Sequence, residues 1–417
     1  MRTGIDVAEA QRTVLAAARA LPPETLALTG VAGRVLAAPI RSGRTLPPAD
    51  CSAMDGYAVR EADVGAASAS SPVSLAVAYE VPAGGRAPRA LGEGEAARIF
   101  TGAPLPEGAD TVVRQEDAEA TADRVEIRTS PRCRDHVRLA GEDVREGDLV
   151  LGPGTVLGPG HIGMLASLGR TLVPVHRRPR VAILSGGDEL VDPDHDVSGG
   201  RIVASNAYSL AAQCEEAGAL PTNLGIARDT AEDLERMLRA GLDADLLVSS
   251  AGVSVGDHDH VRPVLEKLGC VLDFWGVKMK PGHPVAFGRF PDGRGPLVFG
   301  LPGNPVSAMV TFEQFVRPVL LRMGGRERVL RPTVRATLSE GLTKAPGRLH
   351  FVRVGLERDG HAIVATPTGN QSSGVLRSMT LAQGLLVFPA DASEIAAGAA
   401  VDVQLLDLEW LGHADAP

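Results

Sequence analysis

Apolar and polar residues alternate at helical spacing over residues 5–20 and stop at Leu21-Pro22-Pro23, which predicts an amphipathic helix closed by proline. A second short helix is predicted over 29–36, followed by an extended link at Leu46-Pro47-Pro48. The texture then changes. Between Cys51 and about Arg138, short Val-rich runs at 73–81, 97–101, 110–113 and 125–128 are separated by Gly, Pro and Asp, which predicts a small β-rich domain. Helical patterning returns over 161–168, after a Gly/Pro cluster at 152–160.

From Arg180 to about Met323 the two periods alternate. Runs at 181–185, 246–250 and 297–300 predict buried strands, and 207–217, 231–240, 260–268 and 306–323 predict helices. Such alternation predicts a parallel α/β sheet with its ligand site at the carboxyl ends of the strands. Beyond Arg331 strands return, at 333–338, 351–357, 362–366, 385–389 and 401–407. The expected class is therefore α/β plus β, in several domains.

Composition narrows the function. The 417 residues are the length of about three average domains. With 44% hydrophobic and 22% charged residues, the chain buries a core and is not disordered. Aromatic residues make up only 3%, too few platforms for a base-stacking RNA binder. A formal net charge of −9 argues against a broad surface for nucleic acid or anionic lipid. Cys51, Cys133, Cys214 and Cys270 lack metal-knuckle or redox spacing, so neither a zinc site nor a disulfide framework is expected. Asp6 and Glu9 stand where a signal peptide needs apolar residues, and no apolar run is long enough to span a membrane. The expectation is a cytoplasmic protein with no membrane or nucleic-acid partner.

Three local motifs need weighing against simpler explanations. Gly158-Pro-Gly160-His-Ile-Gly163 fits a dinucleotide glycine pattern, but Pro159 sits in the turn and no acidic residue closes a following strand; turn and helix-start glycines explain it. Asp192, Asp194 and Asp196 resemble the start of a calcium loop, yet Val197 and Val203 occupy the turn-glycine and bidentate-Glu positions, leaving a solvated acidic loop. Gly252-Val-Ser254-Val-Gly256 fits a nucleophile elbow between strand and helix, with His258, His260 and His283 following as bases. No upstream oxyanion motif accompanies it. The competing reading is a glycine loop whose amides, with the next helix start, hold an anion.

The candidate site lies at the predicted strand ends. Ser185-Gly186-Gly187-Asp188-Glu189 combines a tight backbone with hard oxygen ligands suited to Mg²⁺. Asp229 ends another strand and either adds a carboxylate or caps the helix beginning near Thr230. Asp257, His258, Asp259 and His260 are either ligands or, for Asp257, a cap. Lys278 and Lys280 are two apart, so an extended backbone puts both ammonium groups on one face toward an anion. Leu301-Pro302-Gly-Asn-Pro305 makes a rigid loop before the long helix. Carboxylates, amines and glycine amides together suit a phosphate-bearing ligand with Mg²⁺ better than acyl transfer.

The chain resembles the molybdopterin molybdenumtransferase (molybdenum insertase) family, and the homologous domain of gephyrin. The resemblance rests on Ser52-Ala-Met-Asp55-Gly-Tyr-Ala58, Phe100-Thr101-Gly-Ala-Pro-Leu-Pro106, Gly141-Glu-Asp143, Gly187-Asp-Glu189-Leu, Gly252-Val-Ser-Val-Gly256-Asp and Leu301-Pro-Gly-Asn-Pro305-Val-Ser, in that order along essentially the whole chain. It implies an elongated homodimer whose clefts between subunits hold the site. The implied domains are a helical and extended one (1–44 and 139–178), an inserted β-domain (45–138), an α/β molybdopterin-binding domain (179–327) and a C-terminal β-barrel-like domain (328–411). The implied reaction takes adenylylated molybdopterin and molybdate, uses Mg²⁺, and releases AMP. Carried over by position, Glu189 and Asp229 are the metal carboxylates, and Asp55, Thr101, Arg138 and Asp143 line the cleft from the other side. Asp259, Lys278, Arg348 and Ser373 also fall on functional positions. Three positions depart from the family pattern: His283 stands where a lysine is common, Gly186 where a threonine is, and Ser372 where a glycine is. A serine hydrolase using Ser254 and a catalytically silent gephyrin-like scaffold are the alternatives.

Overall fold

The structure is a computed structural model and describes residues 1–250, 260–291, 293, 295–360 and 362–412. The alternating segment builds a seven-stranded sheet in the order Arg2–Ile5, Val271–Val277, Ala286–Arg289, Leu297–Gly300, Leu246–Ser249, Arg180–Gly186, Leu220–Ala227. All neighbours run parallel except Ala286–Arg289, which is antiparallel to both of its partners. Val181, Ala182, Ile183 and Leu184 are all buried, as are Leu246, Leu247 and Val248. Such unbroken apolar runs are what strands covered by helices on both faces require.

Helices Ser205–Glu216 and Pro305–Thr311 pack on one face, with Leu210, Cys214, Val306 and Val310 in the larger core cluster. Ala231–Ala240 and Val261–Lys267 cover the other through Leu234, Leu238, Val264 and Leu265. The run at 306–323 is helical throughout but changes pitch: a π-helical stretch, Phe312–Val316, joins Pro305–Thr311 to Arg317–Met323. Glu313 in that stretch is buried and bonded to Arg331, which also holds Glu216.

The helix read at 5–20 spans Val7–Ala17 and is capped by Asp6, whose carboxylate accepts from the Glu9 amide. It follows the Arg2–Ile5 strand and packs with the α/β core through Val7, Ala10 and Val14. The helix expected at 29–36 is absent. Only a short turn, Leu28–Gly30, forms; Gly33 takes φ +72°, and Val35 and Leu36 make bridges to Val156 and Val175. A positive φ breaks a right-handed helix, and burying Val35, with Leu36 in the core beside Val173 and Val175, outweighs their local helical pattern.

Three short antiparallel pairs shape the rest of the N-terminal part: Pro23–Ala27 with Leu172–His176, Ile40–Arg41 with Leu149–Leu151, and Cys51–Ser52 with Val137–Arg138. The β-rich stretch forms a six-stranded sheet in the order Thr111–Arg114, Gly56–Val59, Glu95–Ile99, Val73–Val81, Arg124–Ile127, Ala118–Ala120. The C-terminal strands close on themselves. Leu349–Asp359, Ala362–Pro367, Thr333–Leu338, Ala400–Leu405 and Gly384–Phe388 form a ring, because the last pairs back to the first. Met279–Lys280 leaves the α/β domain to pair in parallel with the start of Leu349–Asp359, Met279 beside Leu349 and Lys280 beside His350.

Candidate functional site

Three segments leaving adjacent parallel strands converge at the carboxyl edge of the α/β sheet. Arg180–Gly186 ends in Ser185 and Gly186, Leu246–Ser249 leads to Ser250, and Leu297–Gly300 leads to the Pro302–Pro305 loop. Between them lies a cavity of about 600 Å³, lined by Ser185, Gly186, Glu189, Asn304, Pro305 and Gly374 among others. That size suits a small organic ligand. Another concavity, about 670 Å³, is lined by Arg180, Asp243 to Asp245 and Leu297, at the amino ends of the same strands. Open parallel sheets bind at their carboxyl ends, so the first of these is the candidate.

Backbone requirements explain the glycine run. Gly187 has φ +142°, and a Cβ there would stand 2.5 Å from Oε2 of Glu189. Glycine thus lets the Glu189 side chain fold back over the loop, beside the cavity. The Gly187 amide donates to the Ala227 carbonyl, and the next two loops tie together reciprocally. The Asp188 amide donates to Asp229 Oδ2 and the Asp229 amide to Asp188 Oδ1, each at 3.3 Å. Asp229 does not cap the following helix: Thr230 does, accepting from the Asp233 amide. Asp188, Glu189 and Asp229 are exposed. Among the described residues no three His, Cys, Asp or Glu side chains are gathered closely enough to form a preassembled metal cage.

At the cavity floor the buried hydroxyls of Ser185 and Ser250 stand 3.5 Å apart. Asn206 donates to the Gly303 carbonyl, and Asn304 donates to Ser373 Oγ at 3.0 Å. The Ser373 carbonyl accepts from the Val306 amide, so a C-terminal loop closes one wall. Asn206, Asn304 and Gly374 carry no signal as site residues in the sequence; the rigid proline-bounded loop around Asn304 and the family position of Ser373 point to this wall.

Lys278 and Lys280 are exposed on either side of buried Met279, as the two-residue spacing requires. The Lys278 carbonyl accepts from the Leu349 amide, which places both lysines beside the segment carrying Arg348. His283 bonds the Val277 carbonyl through Nδ1 at 2.7 Å, so one ring nitrogen is committed to the backbone. Gly252, Ser254, Gly256 and Asp259 lie outside the described residues, as do Asp257 and His258.

The remaining candidates form a separate group. Asp55 Oδ1 accepts from the Thr101 amide at 2.7 Å and from its hydroxyl at 2.8 Å. Both bonds favour the ionised form and hold the carboxyl below its ordinary range, with Arg98 adding a smaller pull. Arg138 pairs with Glu142 at 3.1 Å, which raises the guanidinium's affinity for its proton. Asp143 is exposed in the turn that follows, its amide bonded to the Leu46 carbonyl. Among the described residues no hydrogen bond or ion pair joins this group to the cavity.

Comparison with known proteins decides the family. The MoeA N-terminal region (domain I and II) matches residues 5–169, a probable molybdopterin binding domain matches 182–322, and the MoeA C-terminal region (domain IV) matches 335–406. A protein named molybdopterin molybdenumtransferase from Nostoc sp. is 40% identical over 394 residues, covering 92% of this chain and 88% of that protein. The chain belongs to the MoeA family. Molybdopterin molybdenumtransferase 2 of Mycobacterium tuberculosis is 38% identical over 95% of this chain and 98% of its own. The MoeA protein of molybdopterin biosynthesis from Pyrococcus horikoshii has two similar crystal structures. Their TM-scores are 0.83 and 0.82, at 33% and 30% identity, covering 97% and 96% of this chain and 99% and 100% of those chains. Similarity to MoeA thus runs through all the domains, and nothing in it supports a hydrolase using Ser254 or a silent scaffold.

Proposed function

We propose that this chain is a molybdopterin molybdenumtransferase, which inserts molybdenum from molybdate into adenylylated molybdopterin with release of AMP, in the cytoplasm. The observation that carries the reading is the cavity at the carboxyl edge of the MoeA-like α/β domain, with Asp188, Glu189 and Asp229 on two mutually bonded loops beside it.

The residues present fit Mg²⁺ by their chemistry. Mg²⁺ takes one or two carboxylates and completes its shell with water and substrate phosphate, so exposed carboxylates suffice without a closed cage. Glu189 and Asp229 would hold the ion, which when bound neutralises phosphate charge. The protein's own part is positioning and electrostatics. Ser185, Ser250 and the glycine amides offer hydrogen bonds to a polar ligand in the cavity, and Lys278, Lys280 and Arg348 offer positive charge to an oxyanion. Asp55 remains ionised under its two bonds from Thr101 and can orient a donor or accept a proton. Because, among the described residues, Asp55, Thr101, Arg138 and Asp143 have no bonded link to the cavity of their own chain, we read the complete site as formed by two subunits of a homodimer.

The test is direct. Purified protein with adenylylated molybdopterin, molybdate and Mg²⁺ should release AMP, and Glu189→Ala should abolish the release while retaining the fold. Failure of the wild-type protein to release AMP would overturn the reading.

A further inference from the structure

Behind the Gly374 wall of the cavity lies a cation that has no counter-ion among the described residues. Arg353 stands in the middle of the Leu349–Asp359 strand and is fully buried, 0% exposed. Among the described residues it makes no ion pair. Its Nε donates to Ser378 Oγ at 3.1 Å, one Nη2 bond goes to the Ser372 carbonyl at 3.2 Å, and Nη1 has no partner. Burial without a carboxylate pushes the guanidinium down to about 10. A lone buried charge is costly, and apolar residues flank it on both sides, Phe351, Val352 and Val354. Packing alone does not account for an arginine here.

The bonds show what the arginine holds. The Arg353 amide donates to Gln371 Oε1 at 2.9 Å, and Gln371 Nε2 donates back to the Arg353 carbonyl at 3.0 Å. The Thr368 amide also donates to that carbonyl. Segment 368–378 is therefore wrapped around one residue, at Thr368, Gln371, Ser372 and Ser378. On its other side the same segment presents Ser373 to Asn304 and Gly374 to the cavity.

We propose that Arg353 is a positioning residue for the substrate cavity: its buried guanidinium and backbone clamp segment 368–378 so that Ser373 holds Asn304 and Gly374 completes the wall. The inference rests on the proposed function for its kinetic readout. A cavity of about 600 Å³ has room for an organic substrate, so the kinetic readout is taken on the pterin substrate.

The test combines steady-state kinetics with hydrogen exchange. Arg353→Lys and Gln371→Ala should each raise KM for adenylylated molybdopterin up to about tenfold, the first by weakening the guanidinium bonds to Ser378 and Ser372 and the second by removing the neutral pair between Gln371 and the Arg353 backbone, with kcat within about twofold. Ser373→Ala should do the same, and Arg353→Lys in that background should add less than its full factor, because both act in part through the contact of Ser373 with Asn304. Unchanged KM in the variants, or a lower kcat with KM unmoved, overturns the proposal; so does a full multiplicative rise in the double variant. Should Arg353→Lys fail to fold, Gln371→Ala loosens the same clamp without disturbing a buried charge. Should the wild-type protein release no AMP, the functional reading fails and exchange decides the clamp by itself: faster exchange of the 372–374 amides in Gln371→Ala supports it, and equal exchange overturns it.

Discussion

The amide of Asp188 donates to the carboxylate of Asp229, and the amide of Asp229 donates to the carboxylate of Asp188, each at 3.3 Å. Two loops from neighbouring parallel strands are thereby cross-braced, and one oxygen of each carboxylate remains for another partner. Asp229→Asn keeps an acceptor for the Asp188 amide but removes the charge. Its affinity for Mg²⁺, read from the metal dependence of AMP release, should weaken at least about tenfold with little change in melting temperature. Chelation should silence the wild-type enzyme and added Mg²⁺ restore it. Full metal response in Asp229→Asn would remove Asp229 from the ion's shell.

Thr101→Val should alter Asp55 without unfolding the β-rich domain. Valine removes the 2.8 Å hydroxyl bond and keeps the 2.7 Å amide bond. Since the Thr101 bonds are what lower the Asp55 carboxyl, losing one moves it up toward the ordinary aspartate range. The acid limb of the pH–rate profile should therefore shift to higher pH, and an NMR titration of the Asp55 carboxyl should show the same displacement. An unmoved titration would mean that the amide alone sets the charge.

His350 makes the barrel sensitive to acid. It is buried, both ring nitrogens lack partners among the described residues, and burial together with Lys280, Arg353 and Lys344 pushes it from 6.5 down to about 4. The unfolded chain takes up a proton near 6.5 and the folded one only near 4, so stability is full above 6.5 and falls as the pH drops through that window. The loss attributable to His350 reaches up to about 3 kcal/mol. Urea melts of the wild-type protein and of His350→Leu at pH 7 and pH 4.5 should diverge accordingly. Parallel curves would show that the imidazole is solvated or paired in solution.

The Arg331 knot should be the most fragile polar contact between the α/β domain and the barrel. Arg331 bonds Glu313 at 2.8 Å, Glu216 at 2.7 Å and the Leu406 carbonyl at 3.0 Å. Arg331→Met leaves Glu313 buried, with a 2.7 Å hydrogen bond from Gln213 and the Arg317 guanidinium at 3.8 Å as its partners among the described residues. A cost of about 3 kcal/mol in denaturant unfolding is expected. Adding Glu313→Leu should return much of it, because the stranded charge is then gone; a double variant no better than the single one would assign the cost to lost packing.

What was legible in the sequence follows the reach of each signal. Val73–Val81, Leu297–Gly300, Thr333–Leu338 and Ala231–Ala240 occupy the residues their periodicity indicates, because one face or both of each is apolar along its whole length. The segment at 29–36 misleads because its apolar residues serve bridges to distant strands, a tertiary demand that helical spacing does not encode. The site divides in the same way. Ser185, Gly186 and Glu189 were readable from a glycine turn at a strand end, whereas the bond from Asn304 to Ser373 joins residues 69 apart. Arg353 left one trace, a charge interrupting an apolar strand, and its meaning depends on a segment that returns only after the next strand.

The Arg2–Ile5 strand lies against Val271–Val277, so the α/β domain is discontinuous and its first strand and helix precede the domains that separate them from the rest. A fluorophore on Met1 therefore reports the position of that domain. Cys133 is exposed while Cys51, Cys214 and Cys270 are buried, and it follows the strands of the six-stranded sheet in sequence. Maleimide chemistry can thus place the second dye without removing a native thiol, and energy transfer between the two reads the separation of those positions in solution.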